Sequence, residues 1–233
     1  MVKVLAVSIV LVFCGFLSAG CSRDDDILEN GTKLYSQGAE ELIIRHFFDD
    51  RREGVFLDVG SFHWKKFSTT LYLEKHLGWS GIAIDANVKL QEGYEENRPR
   101  TQFFSYFVTD HSDTTEKFYL AGAVSSYDRD YIEQFENARE RVKEVEVRSI
   151  TLNDLLAREG IEKIDFLSMD IEQAEPMALA GFDIEKYRPE LVCIEASPPV
   201  REAITVYFAE HGYVQIEEYL AYDFVNWYFR PRD

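Results

Sequence analysis

Val55-Phe56-Leu57-Asp58-Val59-Gly60 is an apolar run that ends on an acid and a glycine, and Ile164-Asp165-Phe166-Leu167-Ser168-Met169-Asp170-Ile171-Glu172 repeats the theme further along. Runs this continuous read as strands buried on both faces, which is how parallel sheets look in sequence. In an open α/β sheet, ligands bind beyond the carboxyl ends of the strands, where the strand order reverses. Two strands that each deliver carboxylates to that edge predict a nucleoside-type cofactor beside a reaction centre.

Working outward from these runs, strands and helices alternate from Gly54 onward, the signature of a doubly wound, mostly parallel sheet with crossover helices. A leading helix is predicted over 34–48, carrying Leu42, Ile43 and Phe47 at helical spacing. A helix over 68–77 closed by Gly78, a second strand over 81–85 and a helix over 87–97 ended by Pro99 follow. A third strand is expected over 102–108, running into Thr109-Asp110. Residues 111–142 break the rhythm, with a short strand near 117–120 and Tyr131, Ile132, Phe135 and Ala138 at helical spacing. Such an insertion either covers the sheet edge or packs as a surface helix. Val145 and Val147 alternate with charges as in an edge strand. Thr151 with Asp154 forms a capping-box pattern opening a helix that Gly160 stops. After the Asp170 strand come a short helix near 177–179, a strand over 191–194, and a helix from Pro199 to Gly212. The runs 213–216 and 224–229 close the chain as a β-hairpin.

The acids at the strand ends carry the chemistry. Gly60 lets backbone pass close to a ligand and Asp58 can accept hydrogen bonds there. The dinucleotide pattern GxGxxG is absent, because Phe62 and His63 follow Gly60, which argues against NAD. Asp85 ends the second strand, where an acid suits the two hydroxyls of an adenosine ribose. Asp110 can approach the adenine edge or serve as a turn residue. Asp170 and Glu172 are candidates for a base, for ligand-orienting acceptors or for a divalent-metal site. No histidine stands beside them to favour a transition metal, no metal-binding cysteine cluster exists, and no metal is assigned.

In order and spacing, several segments resemble the FkbM-type methyltransferases, S-adenosylmethionine-dependent enzymes with the Rossmann-like class I fold. They are Ser36-Gln37-Gly38-Ala39-Glu40-Glu41, Asp58-Val59-Gly60-Ser61, Lys66-Phe67-Ser68-Thr69-Thr70 and the stretch from Gly78 to Asn87. Ser125-Ser126, Thr151 to Leu156 and Ile164 to Glu175 complete the set, so the likeness runs from Tyr35 to about Arg230. The resemblance implies that Asp58, Gly60 and Ser61 line the methionine end of the cofactor, that Asp85 holds its ribose, and that Asp170 and Glu172 stand near the transferred methyl. It also implies a hydroxyl acceptor on a saccharide or small metabolite, for which His63 is a second candidate base. Two departures stand out. Gln173 replaces the glycine of the family's Asp-Ile-Glu-Gly, where it could narrow the site, and Ser61-Phe62 replaces Ala-Asn, placing a ring near the cofactor.

The 233 residues are 46% hydrophobic, enough for one substantial core, and carry a net charge of -17. A phosphate backbone is repelled by that surface, which excludes nucleic acid as a partner. Lys3 is the only charge before Arg23, and the run from Val4 to Ala19 is nearly all apolar. It falls a little short of the roughly 18 residues of a spanning helix. Leu17-Ser18-Ala19-Gly20-Cys21 resembles a bacterial lipobox, which implies cleavage before Cys21 and lipid on its thiol. The organisation expected is therefore a signal over 1–21, an acidic tether over 22–33 and the catalytic domain over 34–233. It locates the domain in the bacterial envelope as a membrane-anchored lipoprotein, or at the cytoplasmic face or in the cytosol if the signal is not used. Cys193 is then the one body cysteine, a small buried core residue without a disulfide partner. Because S-adenosylmethionine is cytosolic, two readings follow: an O-methyltransferase, or a catalytically silent, membrane-anchored binding lipoprotein on the same fold. The oligomeric state is not encoded in any of these features. Cells fed a labelled fatty acid are expected to label the chain through Cys21, with Cys21→Ser abolishing the label; an unlabelled wild type refutes the anchor.

Overall fold

Leu57, Val59, Ile82, Ile84, Leu167, Met169, Val192 and Ile194 fall into one buried cluster, while Phe56, Phe166, Leu191 and Cys193 fall into another. This alternation, apolar on both sides, covers both faces of a central sheet. The computed structural model describes residues 27–233 and contains ten strands among them: β1 Val55–Val59, β2 Ser80–Asp85, β3 Thr101–Ser105, β4 Phe107–Val108, β5 Thr115–Leu120, β6 Lys143–Ile150, β7 Phe166–Met169, β8 Leu191–Glu195, β9 Tyr213–Gln215 and β10 Asn226–Pro231. Seven of them form the main sheet in the order β3-β2-β1-β7-β8-β10-β9. Its first five strands are mutually parallel, and β10 runs antiparallel to both β8 and β9. The expected α/β fold, with its closing antiparallel pair, is the fold observed.

The order reverses between β1 and β7, the adjacent pair in which Asp58 sits opposite Ser168 and Val59 opposite Met169. One face is covered by the helices Leu152–Arg158 and Arg201–Glu210, through Leu152, Leu155, Ile204 and Phe208. The other is covered by Glu40–Phe48 and Leu71–Leu77, through Ile43, Ile44, Leu73 and Leu77 against Trp79. Each such side chain contributes roughly 1.5–3 kcal/mol by burial. Gly78 ends the second of these helices in the left-handed conformation (φ 76°), its N–H returning to Glu74 O, and Thr151 caps Leu152–Arg158 by accepting from Asp154 N at 3.0 Å.

The departures from the sequence reading have local causes. The leading helix is shorter, because residues 32–39 form a turn structure that Glu41 holds by accepting from Leu34 N and Tyr35 N. The end of the expected tether joins the fold, since Ile27–Asn30 makes one helical turn and Leu28 packs against the second cluster. The expected third strand is two strands. β3 stays in the main sheet, whereas β4 leaves it to pair with β6 in a second, three-stranded sheet with β5. The signal segment and Cys21 lie outside the described residues. No helix among the described residues is long and apolar enough to cross a membrane.

Arg98 ties the second face together. Its side chain is fully buried, with Nε donating to Glu74, Nη2 to Thr70 Oγ1 at 3.1 Å and Nη1 to Trp64 O at 3.2 Å. Glu74 also accepts from Arg100 N and the Thr101 hydroxyl. Removing one member of a buried pair leaves an uncompensated charge and costs about 3–5 kcal/mol. Arg98→Met is therefore expected to lower the melting temperature by roughly 10 °C. A melt within about 2 °C of wild type, by circular dichroism, refutes a structural role for the network.

Candidate active site

The carboxyl ends of β1, β2, β7 and β8 open into one cleft with two adjoining hollows. The first is lined by Ile84, Asp85, Ala86, Tyr106, Phe107 and Val108, and the second by Asp58, Ser61, Ser168, Glu195, Asn226 and Glu40. Gly60, Phe62, Asp170 and Glu172 line both. The crossing point is built on backbone. Gly60 adopts φ 84°, and a Cβ there would lie 1.7 Å from Asp170 O. Only glycine fits, because the β1 and β7 loops touch main chain to main chain. Gly60 N and Ser61 N both donate to Ile84 O, which draws the turn over β2.

Asp85 stands at the mouth of the first hollow. Its Oδ1 accepts from Asn87 N at 2.8 Å and its Oδ2 from Phe62 N at 3.0 Å. Each oxygen keeps lone-pair capacity for a hydroxyl. Burial pushes this carboxyl up to about 6, against the two backbone N–H groups that lower it. Asp58 is buried on the second face, its Oδ2 accepting the Thr70 hydroxyl at 2.7 Å. Ser61 is buried with its hydroxyl unpartnered at the edge of the second hollow.

A group of acids gathers beneath the crossing point. Asp170 is open to water through the cleft yet surrounded by protein, and burial, then Glu195, Glu172 and Glu175, hold its carboxyl well above the usual range. Burial, with Glu195 adding repulsion, raises Glu172 to about 7, and burial raises Glu175 to about 8. Among the residues lining the second hollow there is no lysine, arginine or histidine.

The insertion covers this ground. Gly122, Ala123 and Ser125 line the first hollow, and the Ser126 hydroxyl donates to Glu172 O at 3.1 Å. The Tyr131 hydroxyl donates to Glu172 Oε2. Glu172 and Gln173 are both left-handed, at φ 53° and 76°. Gln173 thus takes the backbone angle that a glycine would take freely, and its side chain does not line the cleft, contrary to the expectation that it narrows the site. Phe62, at φ 50°, does line it, its ring stacked 6.2 Å from Phe67.

Two expected site residues stand elsewhere. Asp110 is exposed and paired with His111 at 2.7 Å, because β4 carries it to the second sheet. His63 lines neither hollow; its Nδ1 accepts from Lys65 N and Lys66 N, which makes it a turn residue. Conversely, the sequence reading missed Glu195, Glu175, Glu40 and Tyr131. Glu195 ends an apolar strand as Asp85 does, the same signal that singled out Asp85.

Burial raises Asp58 from 3.8 to about 6, with the Thr70 hydroxyl and Arg98 opposing. The folded state therefore binds this proton more tightly than the unfolded chain. Stability is lost as pH rises from about 4 through 6, and the cost is complete above that window. Asp58→Asn keeps an acceptor for Thr70, so at pH 7.5 it is expected to raise stability by about 3 kcal/mol, or roughly 5–10 °C in melting temperature. The gain should vanish near pH 4. A variant that melts below wild type at pH 7.5 refutes this assignment.

Residues 54–215 match the Methyltransferase FkbM domain family. Among solved structures, the chain is similar to a TehB-like SAM-dependent methyltransferase from Corynebacterium glutamicum (12% identity, TM-score 0.46, 91% of this chain and 95% of that one). It is also similar to a Pyrococcus horikoshii protein assigned as an RNA methyltransferase (13% identity, TM-score 0.43, 84% of this chain and 83% of that one). No curated protein matches the chain. The chain belongs to the FkbM methyltransferase family.

Proposed function

We propose that the cleft transfers a methyl group to a hydroxyl oxygen of a saccharide or small metabolite. The observation that carries this reading is the convergence of Asp58, Asp85, Asp170 and Glu172 around the Gly60 crossing point, at the place where the strand order reverses. The donor fits the residues present. Asp85 holds the ribose hydroxyls with its spare lone pairs, and Tyr106, Phe107 and Val108 give the base an apolar slot. The open backbone at Gly60, with Asp58 and Ser61 beside it, receives the methionine end, and the acids around it suit its positive charges. S-adenosylmethionine supplies an electrophilic methyl carbon on a sulfonium.

The chain must make a hydroxyl nucleophilic beside it. Glu172 takes the hydroxyl proton; Tyr131 holds its Oε2 and fixes the carboxyl at the cleft floor. Such base assistance is worth about 10²–10⁴-fold, and alignment by the surrounding acceptors adds to it. Glu40 and Asn226, both buried, with Asn226 Nδ2 donating to Glu40 Oε1, line the second hollow and give it an acceptor and a donor suited to a polyhydroxylated acceptor. With lipid on Cys21, the enzyme works at a membrane surface of the bacterial envelope.

Calorimetric titration of the full chain with S-adenosylmethionine is expected to show saturable binding that Asp85→Ala abolishes and NAD does not reproduce. Glu172→Gln should lower kcat about 10²-fold or more while leaving donor affinity within a few-fold. Absence of donor binding to well-folded protein would falsify the enzyme reading. It favours the silent lipoprotein instead, to which Phe62, lining both hollows, already lends weight.

A further inference from the structure

We propose that Asp170, Glu175 and Glu195 form a binding site for one divalent cation of the magnesium, manganese or calcium class. One carboxylate oxygen from each lies within 4.8 Å of the other two. Oxygens bound to a single ion at about 2.1–2.5 Å lie at most about 4–5 Å apart, so the three can close on one centre. They come from three elements: the loop after β7, the first turn of the helix Glu175–Ala180 and the end of β8.

The independent observation is Glu175. It has no exposed surface, its Oε1 is occupied by Ile171 N at 2.9 Å, and its Oε2 is buried without any partner. Glu195 repeats the pattern, its own Oε2 sealed and unpartnered. A buried carboxylate oxygen without a donor is expensive to retain, yet two such acids stand beside a third, and no basic side chain lines the hollow that Asp170 and Glu195 border. Arg98, buried on the same face of the sheet, is committed to Glu74, Thr70 and Trp64 O. A cation supplies the missing partner for both glutamates and engages the Asp170 carboxylate beside them.

The donor set selects its chemistry. Three carboxylates with no imidazole or thiolate ligand favour hard cations over zinc or copper. Three protein ligands leave positions for water or for oxygens of a bound molecule, and Glu195 lies opposite Asn226 at the border of the second hollow. On the methyl-transfer reading, on which this purpose rests, the ion orients and polarises an acceptor that offers two neighbouring oxygens. Glu172 remains free to take the proton.

The test is a manganese titration of the full chain, followed by the loss of the free-ion electron paramagnetic resonance signal, with magnesium as competitor. One Mn²⁺ per chain is expected, displaced by excess Mg²⁺. Glu195→Gln and Glu175→Gln should each weaken uptake roughly 10-fold or more; Glu175→Gln retains an acceptor for Ile171 N. Glu136→Gln, on the exposed surface, should change nothing. No uptake by wild type, or wild-type uptake by a correctly folded Glu195→Gln, overturns the site and leaves the acids to hold protons instead. Donor calorimetry in EDTA separates the two readings. Mn²⁺ uptake without donor binding upholds the site and removes the methyl-transfer purpose, whereas donor binding without Mn²⁺ uptake upholds the methyltransferase and removes the site.

Discussion

The contact on which everything else hangs is main chain against main chain: Gly60 beside Asp170, at a distance that leaves no room for a side-chain carbon. β1 and β7 are neighbours in the sheet, so their following loops must part or touch, and here they touch. The touch needs one residue without a Cβ and with positive φ, and Gly60 is both. Because Asp170 N also donates to Val59 O at 2.9 Å, the two strands stay paired up to the last residue before the crossing. A substitution that pushed these loops apart would separate Asp58 and Ser61 from Asp170 and Glu172, dividing the cleft along its middle.

That geometry creates an electrostatic problem, which the chain leaves partly unsolved. On the second face of the sheet the inward positions near the edge are Asp58, Ser168, Cys193 and Glu195, and the loops add Asp170 and Glu172. Deeper in, the chain balances its charges: Arg98 answers Glu74, and Thr70 links Arg98 to Asp58. Among the described residues lining the second hollow no basic side chain provides such a balance, and burial with the neighbouring acids holds these carboxyls above their usual range. Stability has been given up where a positively charged ligand can repay it, the usual relation between binding sites and buried charge.

The reading of sequence into fold succeeded where residues are buried on two sides. Runs such as 55–59, 166–169 and 191–195 can be little else than central strands, and their terminal acids mark the ligand edge. It failed where a single residue changes the partner of a strand. Nothing in Phe104-Ser105-Tyr106-Phe107 announces that pairing moves from β2 to β6 between Ser105 and Phe107, and with that move Asp110 leaves the cleft. Glu175 was hidden for another reason: it belongs to a helix's first turn, where an acid ordinarily means favourable interaction with the helix dipole. Tyr131 read as one member of an apolar helical stripe, and its ring is indeed buried against the insertion, while its hydroxyl performs a second task.

The insertion and the left-handed pair Glu172-Gln173 explain one another. Two successive non-glycine residues with positive φ carry roughly 1–2 kcal/mol of strain each, so something must hold them. Ser126 grips the Glu172 carbonyl and Tyr131 its carboxylate, two bonds from one insertion onto one residue. The same turn directs Glu175 back to Ile171 N, closing the loop from its far side. A glycine at 173 would release half of that strain and with it part of the reason for the grip. The chain instead retains Gln173, and the bent backbone is held by the two contacts from the insertion. The orientation of Glu172 is thereby set by the insertion as much as by the sheet, and the same insertion lines the first hollow through Gly122, Ala123 and Ser125.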